Sequence, residues 1–214
     1  MLVERIMKTD VKTVHPTDAI RTAVQIIEKY NIRHLPVVEQ DSLVGVVTDR
    51  DLRAALPSTL ERQDDTRILA QPVSSIMTKE VITAHPRDFI EDAALLLYEN
   101  RVGCLPVVRL NKVVGMITKK DILRTLIELM GVNIPSQRVE IALPDRPGLL
   151  ADVAVVLKAF KINVTSVLIF PRQTEGVKHL VMRVQTIDTR KLVDRLQEKG
   201  FNVLWPSKEP DDWL

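Results

Sequence analysis

Cysteine is almost missing: Cys104 is the single thiol in 214 residues. One thiol cannot close an internal disulfide, so a disulfide-stapled scaffold is excluded, and the chain suits a reducing, cytoplasmic setting. Aromatic residues make up only 4%, which argues against a stacking platform for single-stranded nucleic acid. Seven glycines exclude a collagen-like chain. Neither charge sign dominates: 30 Lys and Arg against 28 Asp and Glu leave +2, with no global field for nucleic acid or an acidic membrane. Long apolar runs are lacking too. The longest stretch free of Asp, Glu, Lys and Arg is 68–78, eleven residues, too short to cross a bilayer. The opening MLVERIMKTD has no apolar core of a secretory signal. There is no GxGxxG, P-loop, CxxC or HExxH, so the residues give neither a catalytic constellation nor a metal site. What remains is ordinary for a globular protein, 45% hydrophobic and 27% charged, with material enough for real cores.

The chain repeats itself. Shifted by 70 positions, residues 3–52 fall on 73–122 without a gap, with 18 identities in 50 positions. Background composition would give about three or four. Ile6-Met7 falls on Ile76-Met77, His15-Pro16 on His85-Pro86, and Asp18 on Asp88. LPVV at Leu35–Val38 falls on Leu105–Val108, and GVVTDRD at Gly45–Asp51 on GMITKKD at Gly115–Asp121. Two copies are too few for a solenoid, so two similar units packed about a pseudo-twofold axis are expected.

Each unit has apolar residues at i, i+3, i+4 and i+7 (20, 23, 24, 27 and 90, 93, 94, 97), one face of a helix. Thr17 and Asp88 are candidate N-caps, with Glu91 three residues after Asp88 as in a capping box. Two β-rich runs follow, Leu35–Val38 with Leu43–Val47 and Leu105–Val108 with Val113–Ile117, each pair joined by a polar turn. A second helix begins at TDRD or TKKD, giving the order β-α-β-β-α. After Gly131 and Pro135 the pattern changes. Arg138–Leu143 alternates as a strand, and Pro147 opens a helix with Leu150, Val153, Ala154 and Leu157 on one face. Ile162–Phe170 and Val177–Gln185 are β-prone, Asp188–Lys199 is helical and stopped by Gly200, and Phe201–Trp205 closes a β-α-β-β-α-β order. The expected division is a first unit at 1–56, a connector at 57–72, a second unit at 73–131, a third domain at 138–206 and a tail at 207–214.

These residues carry resemblances. The IM near each start, the LPVV runs and the G-h-h-T-x-x-D closing each unit resemble a tandem pair of CBS motifs, the Bateman module, over roughly 1–130. LPDRPGLL at Leu143–Leu150, followed by INV at Ile162–Val164, resembles an ACT domain over roughly 138–205. A CBS pair fused to one ACT domain is similar to acetoin-utilisation proteins of the AcuB type. The resemblance implies a mixed α+β and α/β chain: two pseudo-symmetric CBS units forming one module, plus a ferredoxin-like ACT domain. It implies a non-catalytic regulator whose CBS pair takes an adenosine-type nucleotide: AMP, ADP, ATP or S-adenosylmethionine. The ACT domain would serve assembly or amino-acid sensing. A homodimer and a regulated enzyme partner are implied, with no required cofactor and no nucleic-acid or membrane partner. A dimerisation scaffold with an empty CBS pair, and an amino-acid sensor working through the ACT domain, stand beside that reading.

An adenosine nucleotide offers two ribose hydroxyls, a flat apolar base and a polyanion. A carboxylate suits the hydroxyls, and such a charge-assisted bond contributes about 1.5–3 kcal/mol. In the family the Asp of TxxD holds the ribose and the Thr lies near the ribose or phosphate, which places Asp51, Thr48, Asp121 and Thr118 in those roles. Each Asp is equally suited to capping its own helix. Ile6, Met7, Ile32, Ile76, Met77 and Val102 match the family's base-wall positions, or serve as core. Arg33, His34, Arg50 and Lys120 are the candidate phosphate cations. Repeat two has Gly103 and Cys104 where repeat one has Arg33 and His34, so the two clefts differ, and a phosphorylated ligand is expected on the Arg33–His34 side. In the ACT segment the resemblance gives Asp145, Gly148, Leu149 and Asn163 as an amino-acid site at a dimer interface. A plain turn and helix start explains the same loop. Gly148 is expected to allow close backbone approach there.

Overall fold

The computed structural model describes residues 1–55, 66–171 and 176–207. Residues 57–65 of the expected connector and 208–214 of the expected tail lie outside these. Contacts divide the chain into two compact units, Met1–Leu123 and Arg124–Leu214, and the division falls inside the helix Lys119–Leu129.

The first unit holds the duplicated elements. Repeat one gives α1 (Ile20–Tyr30), β1 (His34–Glu39), β2 (Ser42–Thr48) and α2 (Asp49–Ala55). A short helix, α3 (Thr66–Ala70), falls where a connector was expected. Its Ile68 and Leu69 pack on the core of repeat one. Repeat two gives α4 (Ile90–Glu99), β3 (Cys104–Arg109), β4 (Lys112–Thr118) and α5 (Lys119–Leu129). The leading strand of each repeat is a single parallel bridge, Val14 to Val37 and Ala84 to Val107. Both hairpins turn on two residues with positive φ: Gln40 and Asp41 at 48° and 68°, Leu110 and Asn111 at 52° and 62°. That geometry matches the right-handed twist of the flanking strands. The sheet order is β1-β2-β4-β3, the hairpins meeting at Ser42 and Lys112. Leu35, Val37, Val47, Leu105, Val107 and Ile117, which share one face of the sheet by alternation and cross-strand pairing, are fully buried.

Neither Thr17 nor Asp88 caps a helix. Ala19 and Phe89 occupy the cap positions and offer no side-chain bond. The backbone of the other repeat supplies the missing acceptors instead. Ile20 N–H donates to the carbonyl of Gln71 at 2.9 Å, and Ile90 N–H to that of Met1 at 2.9 Å. Asp18 and Asp88 have another task, each accepting the backbone N–H of its own His15 or His85 at 2.7 Å.

The segments ahead of the repeats are therefore crossed. Residues 1–8 lie on repeat two: Val3 N–H donates to Asp88 O, and Lys8 exchanges two backbone bonds with Met116, each 2.9 Å. Residues 71–78 lie on repeat one: Val73 N–H donates to Asp18 O at 2.8 Å, and Thr78 exchanges two bonds with Val46. Val3 and Val73 are fully buried in the core of the opposite repeat. Each arm is seated by a thioether on a glycine. A Cβ at Gly115 would stand 2.5 Å from Met7 Sδ, and one at Gly45 2.7 Å from Met77 Sδ.

The second unit holds β5 (Gln137–Pro144), α6 (Leu149–Ala159), β6 (Val164–Pro171), β7 (Val177–Val184), α7 (Arg190–Glu198) and β8 (Asn202–Trp205), in sheet order β6-β7-β5-β8. Val139, Ile141 and Leu143 of β5 alternate into a core with Val153, Val156 and Leu157 of α6 and Leu192 and Leu196 of α7. The first helix begins at Leu149 rather than at Pro147, because Gly148 takes φ 93°. Among the described residues nothing lies within 4 Å of a Cβ placed there, so this glycine serves its left-handed backbone and not the close approach expected from sequence.

The Met–Gly seats give a stability prediction. A methyl added at Gly45 or Gly115 meets a movable thioether but also a fixed carbonyl, Thr78 O at 3.0 Å or Lys8 O at 3.1 Å. Gly45→Ala and Gly115→Ala are each expected to lower urea-unfolding stability by about 1–3 kcal/mol. Wild-type midpoints in both variants would show that the arms yield freely.

Candidate functional site

The two TxxD segments form the same local structure. Thr48 ends β2, Asp51 lies in the first turn of α2, and three bonds join them. Asp51 Oδ2 accepts the Thr48 backbone N–H at 2.9 Å and its hydroxyl at 2.7 Å, while Thr48 Oγ1 accepts the Asp51 N–H at 3.2 Å. Thr118 and Asp121 repeat the pattern at 3.0, 2.5 and 3.3 Å. The helix-capping arrangement is thus formed at both strand-to-helix junctions, satisfying donors that the helix leaves open. It occupies one carboxylate oxygen. Asp51 Oδ1 accepts no hydrogen bond among the described residues, and Asp51 is half-buried, whereas Asp121 is 3% exposed.

The base-wall candidates sort crosswise. Ile76 and Met77, on the arm from repeat two, join Ile32 against the core of repeat one. Ile6 and Met7, on the arm from repeat one, join Val102 against the core of repeat two. All six are half-buried, so they pack as core while keeping an accessible edge. The crossing places Ile32, Ile76 and Met77 in the repeat that carries Thr48 and Asp51, and Ile6, Met7 and Val102 in the one that carries Thr118 and Asp121.

The cations follow the same division. His34 opens β1 directly opposite Thr48, and Asp49 N–H bonds the carbonyl of Arg33 at 3.0 Å, so Arg33 and His34 stand beside the Asp51 junction. Arg33 and Arg50 are exposed and have no ion-pair partner among the described residues, and neither has Lys120 in repeat two. His34 is half-buried, and its burial holds its pKa below the ordinary 6.5, opposed by Asp49 and Asp51 and reinforced by Arg33. Its ring reaches the other repeat: Nε2 lies 2.7 Å from where a Cβ of Gly103 would be. The glycine that replaces arginine in repeat two is what makes room for the imidazole. Cys104, the counterpart of His34, is buried with Val46 and Met116, and burial pushes its thiol up to about 12, far from a reactive thiolate. The Gly103 and Met–Gly contacts went unnoticed in the sequence, although Gly45, Gly115, Met7 and Met77 all recur at the repeat spacing.

In the ACT unit the four expected residues do not meet. Asp145 is ion-paired to Lys178 at 2.7 Å, and its backbone N–H bonds Gly176 O. Gly148 and Leu149 start α6 at this same end of the sheet. Asn163 precedes β6 at the opposite end, its carbonyl accepting Gln185 N–H. β7 fixes the distance: Val164 pairs with Val184, which also faces Gln137, while Pro144 faces Val177. Seven residue steps along β5 separate these ends by about 24 Å, so one chain cannot put Asn163 and the Asp145–Leu149 loop around one small ligand.

Comparison with known proteins agrees with this architecture. The CBS domain family matches residues 3–58 and 73–128, together just over half of the chain, and a TTHA0829-like ACT domain matches 136–205. The CBS domain-containing protein YhcV of Bacillus subtilis is 35% identical over 120 residues, covering 56% of this chain and 81% of that protein. The solved CBS pair of protein MJ0100, in complex with 5-methylthioadenosine and S-adenosyl-L-methionine, is 32% identical with a TM-score of 0.51, covering 59% of this chain and 95% of that one. The Vibrio cholerae protein named for acetoin utilization, AcuB, is 28% identical with a TM-score of 0.54, covering 64% and 98%. Several enzymes match as well, but this chain spans only 22–25% of their length. The chain belongs to the CBS-domain family, as a tandem pair followed by a TTHA0829-like ACT domain.

Proposed function

We propose that this protein is a non-catalytic regulator whose CBS pair binds an adenosine-type nucleotide, AMP, ADP, ATP or S-adenosylmethionine, at the Asp51 junction. One observation carries the choice of junction. Asp51 keeps a carboxylate oxygen open beside Arg33, His34 and Arg50, whereas Asp121 is sealed at 3% exposure. In this reading Asp51 and Thr48 hold the ribose. Ile32, Ile76 and Met77 flank the base, and Arg33, His34 and Arg50 meet the phosphates. Ile6, Met7, Val102, Thr118, Lys120 and Asp121 form the weaker second cleft. The adenosine ligands on the MJ0100 pair support the ligand class. Because each cleft combines an arm of one repeat with the body of the other, ligand binding shifts the relation between the halves. That change acts on a partner enzyme in the cytoplasm, and the likeness to AcuB supports a place in acetoin utilisation.

The ACT unit favours a homodimer. β6 is an edge strand of eight residues, VTSVLIFP, with no charged side chain to deter pairing. Val167, Leu168, Ile169 and Phe170 on it are 36–46% exposed. Antiparallel pairing of two copies along β6 would carry the partner's Asn163 towards the Asp145–Leu149 end, completing an amino-acid site that one chain leaves divided.

Two measurements test this reading. Saturating AMP, at 100 times Kd, should add about 2.7 kcal/mol of stability, or roughly 5–10 °C in melting. Asp51→Ala should abolish that shift and Asp121→Ala should retain most of it; no shift with any of the four nucleotides would end the proposal. The second concerns protons. His34 is neutral at pH 7 in the free protein, and a phosphate beside it raises its pKa, so binding takes up a proton. Affinity for AMP should therefore rise between pH 7.5 and 6, by at most about tenfold per pH unit. His34→Gln should lose the part of that rise owed to the imidazole; an unchanged profile would remove His34 from the phosphate site.

A further inference from the structure

Position 103 ties the two strand-to-helix junctions together through one contact. The three atoms nearest to a Cβ placed on Gly103 all belong to the His34 ring, with Nε2 at 2.7 Å, Cε1 at 3.3 Å and Cδ2 at 3.8 Å. His34 opens β1 opposite Thr48, at the Asp51 junction. Gly103 stands just ahead of β3, where Cys104 pairs with Thr118, and its carbonyl accepts the Lys119 N–H at 3.2 Å. Lys119 is the first residue of α5, between Thr118 and Asp121. A ring from one junction therefore rests on the peptide that fixes the helix start at the other. The reverse contact is different in kind. Cys104, the counterpart of His34, is a short uncharged side chain packed with Val46 and Met116, with no group for an anion to attract.

The ring is the part of this contact that an anion moves. His34 is half-buried, and burial keeps it neutral against the pull of Asp49 and Asp51, with Arg33 acting in the same sense as burial. A phosphate at the Asp51 junction favours the charged ring and offers it a charge-assisted hydrogen bond. The Gly103 Cα beneath the ring offers it no acceptor, so a charged ring turns towards the phosphate. Resting on the nucleotide reading above, we infer that filling the Asp51 cleft lifts the His34 ring off Gly103 and so resets the Thr118–Asp121 junction, making the two clefts fill in order, the Asp51 cleft first. Asp121, 3% exposed while the ring is seated, becomes accessible only after that step. Gly103 is a positioning residue: it touches no ligand and leaves the room in which the ring has two places to be. Such a two-place element, biased from one site and felt at the other, is what coupling between sites requires.

The test uses the full chain, isotope-labelled for NMR, titrated with AMP and followed at the backbone amides of Gly103 and Lys119. An Asp121→Ala background keeps AMP from the second cleft, so movement at Lys119 reports on the first. Both amides should shift with occupancy of the Asp51 cleft, at one common Kd. With His34→Ala added, AMP should bind more weakly, and at saturation the Lys119 shift should fall to less than half. Gly103→Ala pushes the ring from its seat. In that variant Lys119 should already lie near its AMP-bound position, and AMP should move it by less than half the original amount; if this chain does not fold, the His34→Ala comparison decides. In Asp51→Ala the Thr118 and Lys119 amides should not respond at AMP concentrations that saturate the wild type. A Lys119 amide that stays still while AMP binds overturns the inference and leaves the nucleotide reading standing. So does a full Lys119 shift without His34, or a full response at the second junction in Asp51→Ala. No response to AMP at any amide ends the nucleotide reading, and the ordered filling with it.

Discussion

The exchange of arms is the constraint on which the CBS pair depends. Helices α1 and α4 start without a side-chain cap, and their first N–H groups are satisfied by carbonyls of the opposite arm. Val3 and Val73 fill cores that are not those of their own repeat. A separated repeat would lose a buried valine and leave helix donors open, each costing about a kilocalorie or more. The 70-residue repeat is therefore a unit of sequence but not of folding. Function inherits the same constraint. A ligand that touches an arm and a strand-to-helix junction together touches both repeats, so binding and the internal arrangement of the pair are coupled by construction.

Duplication makes two equivalent junctions, and three substitutions make them different. Where Arg33 and His34 stand in one repeat, Gly103 and Cys104 stand in the other. The pairs are not independent, because the imidazole of His34 occupies the space that a side chain at position 103 would need. The third difference is charge next to the TxxD threonine: Asp49 pairs with Arg53 at 3.5 Å, while Lys119 replaces Asp49 in repeat two. A half-buried neutral imidazole beside two carboxylates is an uncommon arrangement, since those carboxylates favour the charged ring. Burial outweighs them here. An anion arriving at this point changes that balance.

Periodicity and repetition made the element order readable, because buried apolar runs and a 3.6-residue face leave unmistakable patterns. LPVV and GVVT became β1 and β2, and Gly200 does follow α7 with a positive φ of 83°. What sequence could not show was which arm packs on which repeat. Both registers put the same residues in the same kinds of environment, so Ile6 and Met7 could be named as wall positions without naming their repeat. The caps failed for a related reason: Thr17 and Asp88 are good capping residues, but a backbone carbonyl from 50 or more positions away leaves no local signature. α3 fell in a segment read as polar connector because five residues are too few for a visible face. At Gly148 the backbone requirement differs from the expected one, since left-handed backbone and close approach both select glycine.

The ACT sheet shows how topology limits a site drawn from a motif. Asp145, Gly148 and Asn163 lie within 20 positions of one another, which suggests proximity. Yet α6 returns the chain to the starting end of the sheet, so β5 and β6 run parallel, each antiparallel to β7 between them. A residue just after β5 and one just before β6 are then held a full strand length apart. Only another copy in the reverse direction can shorten that separation, and the uncharged edge of β6 is the surface where the reversal places fewest obstacles.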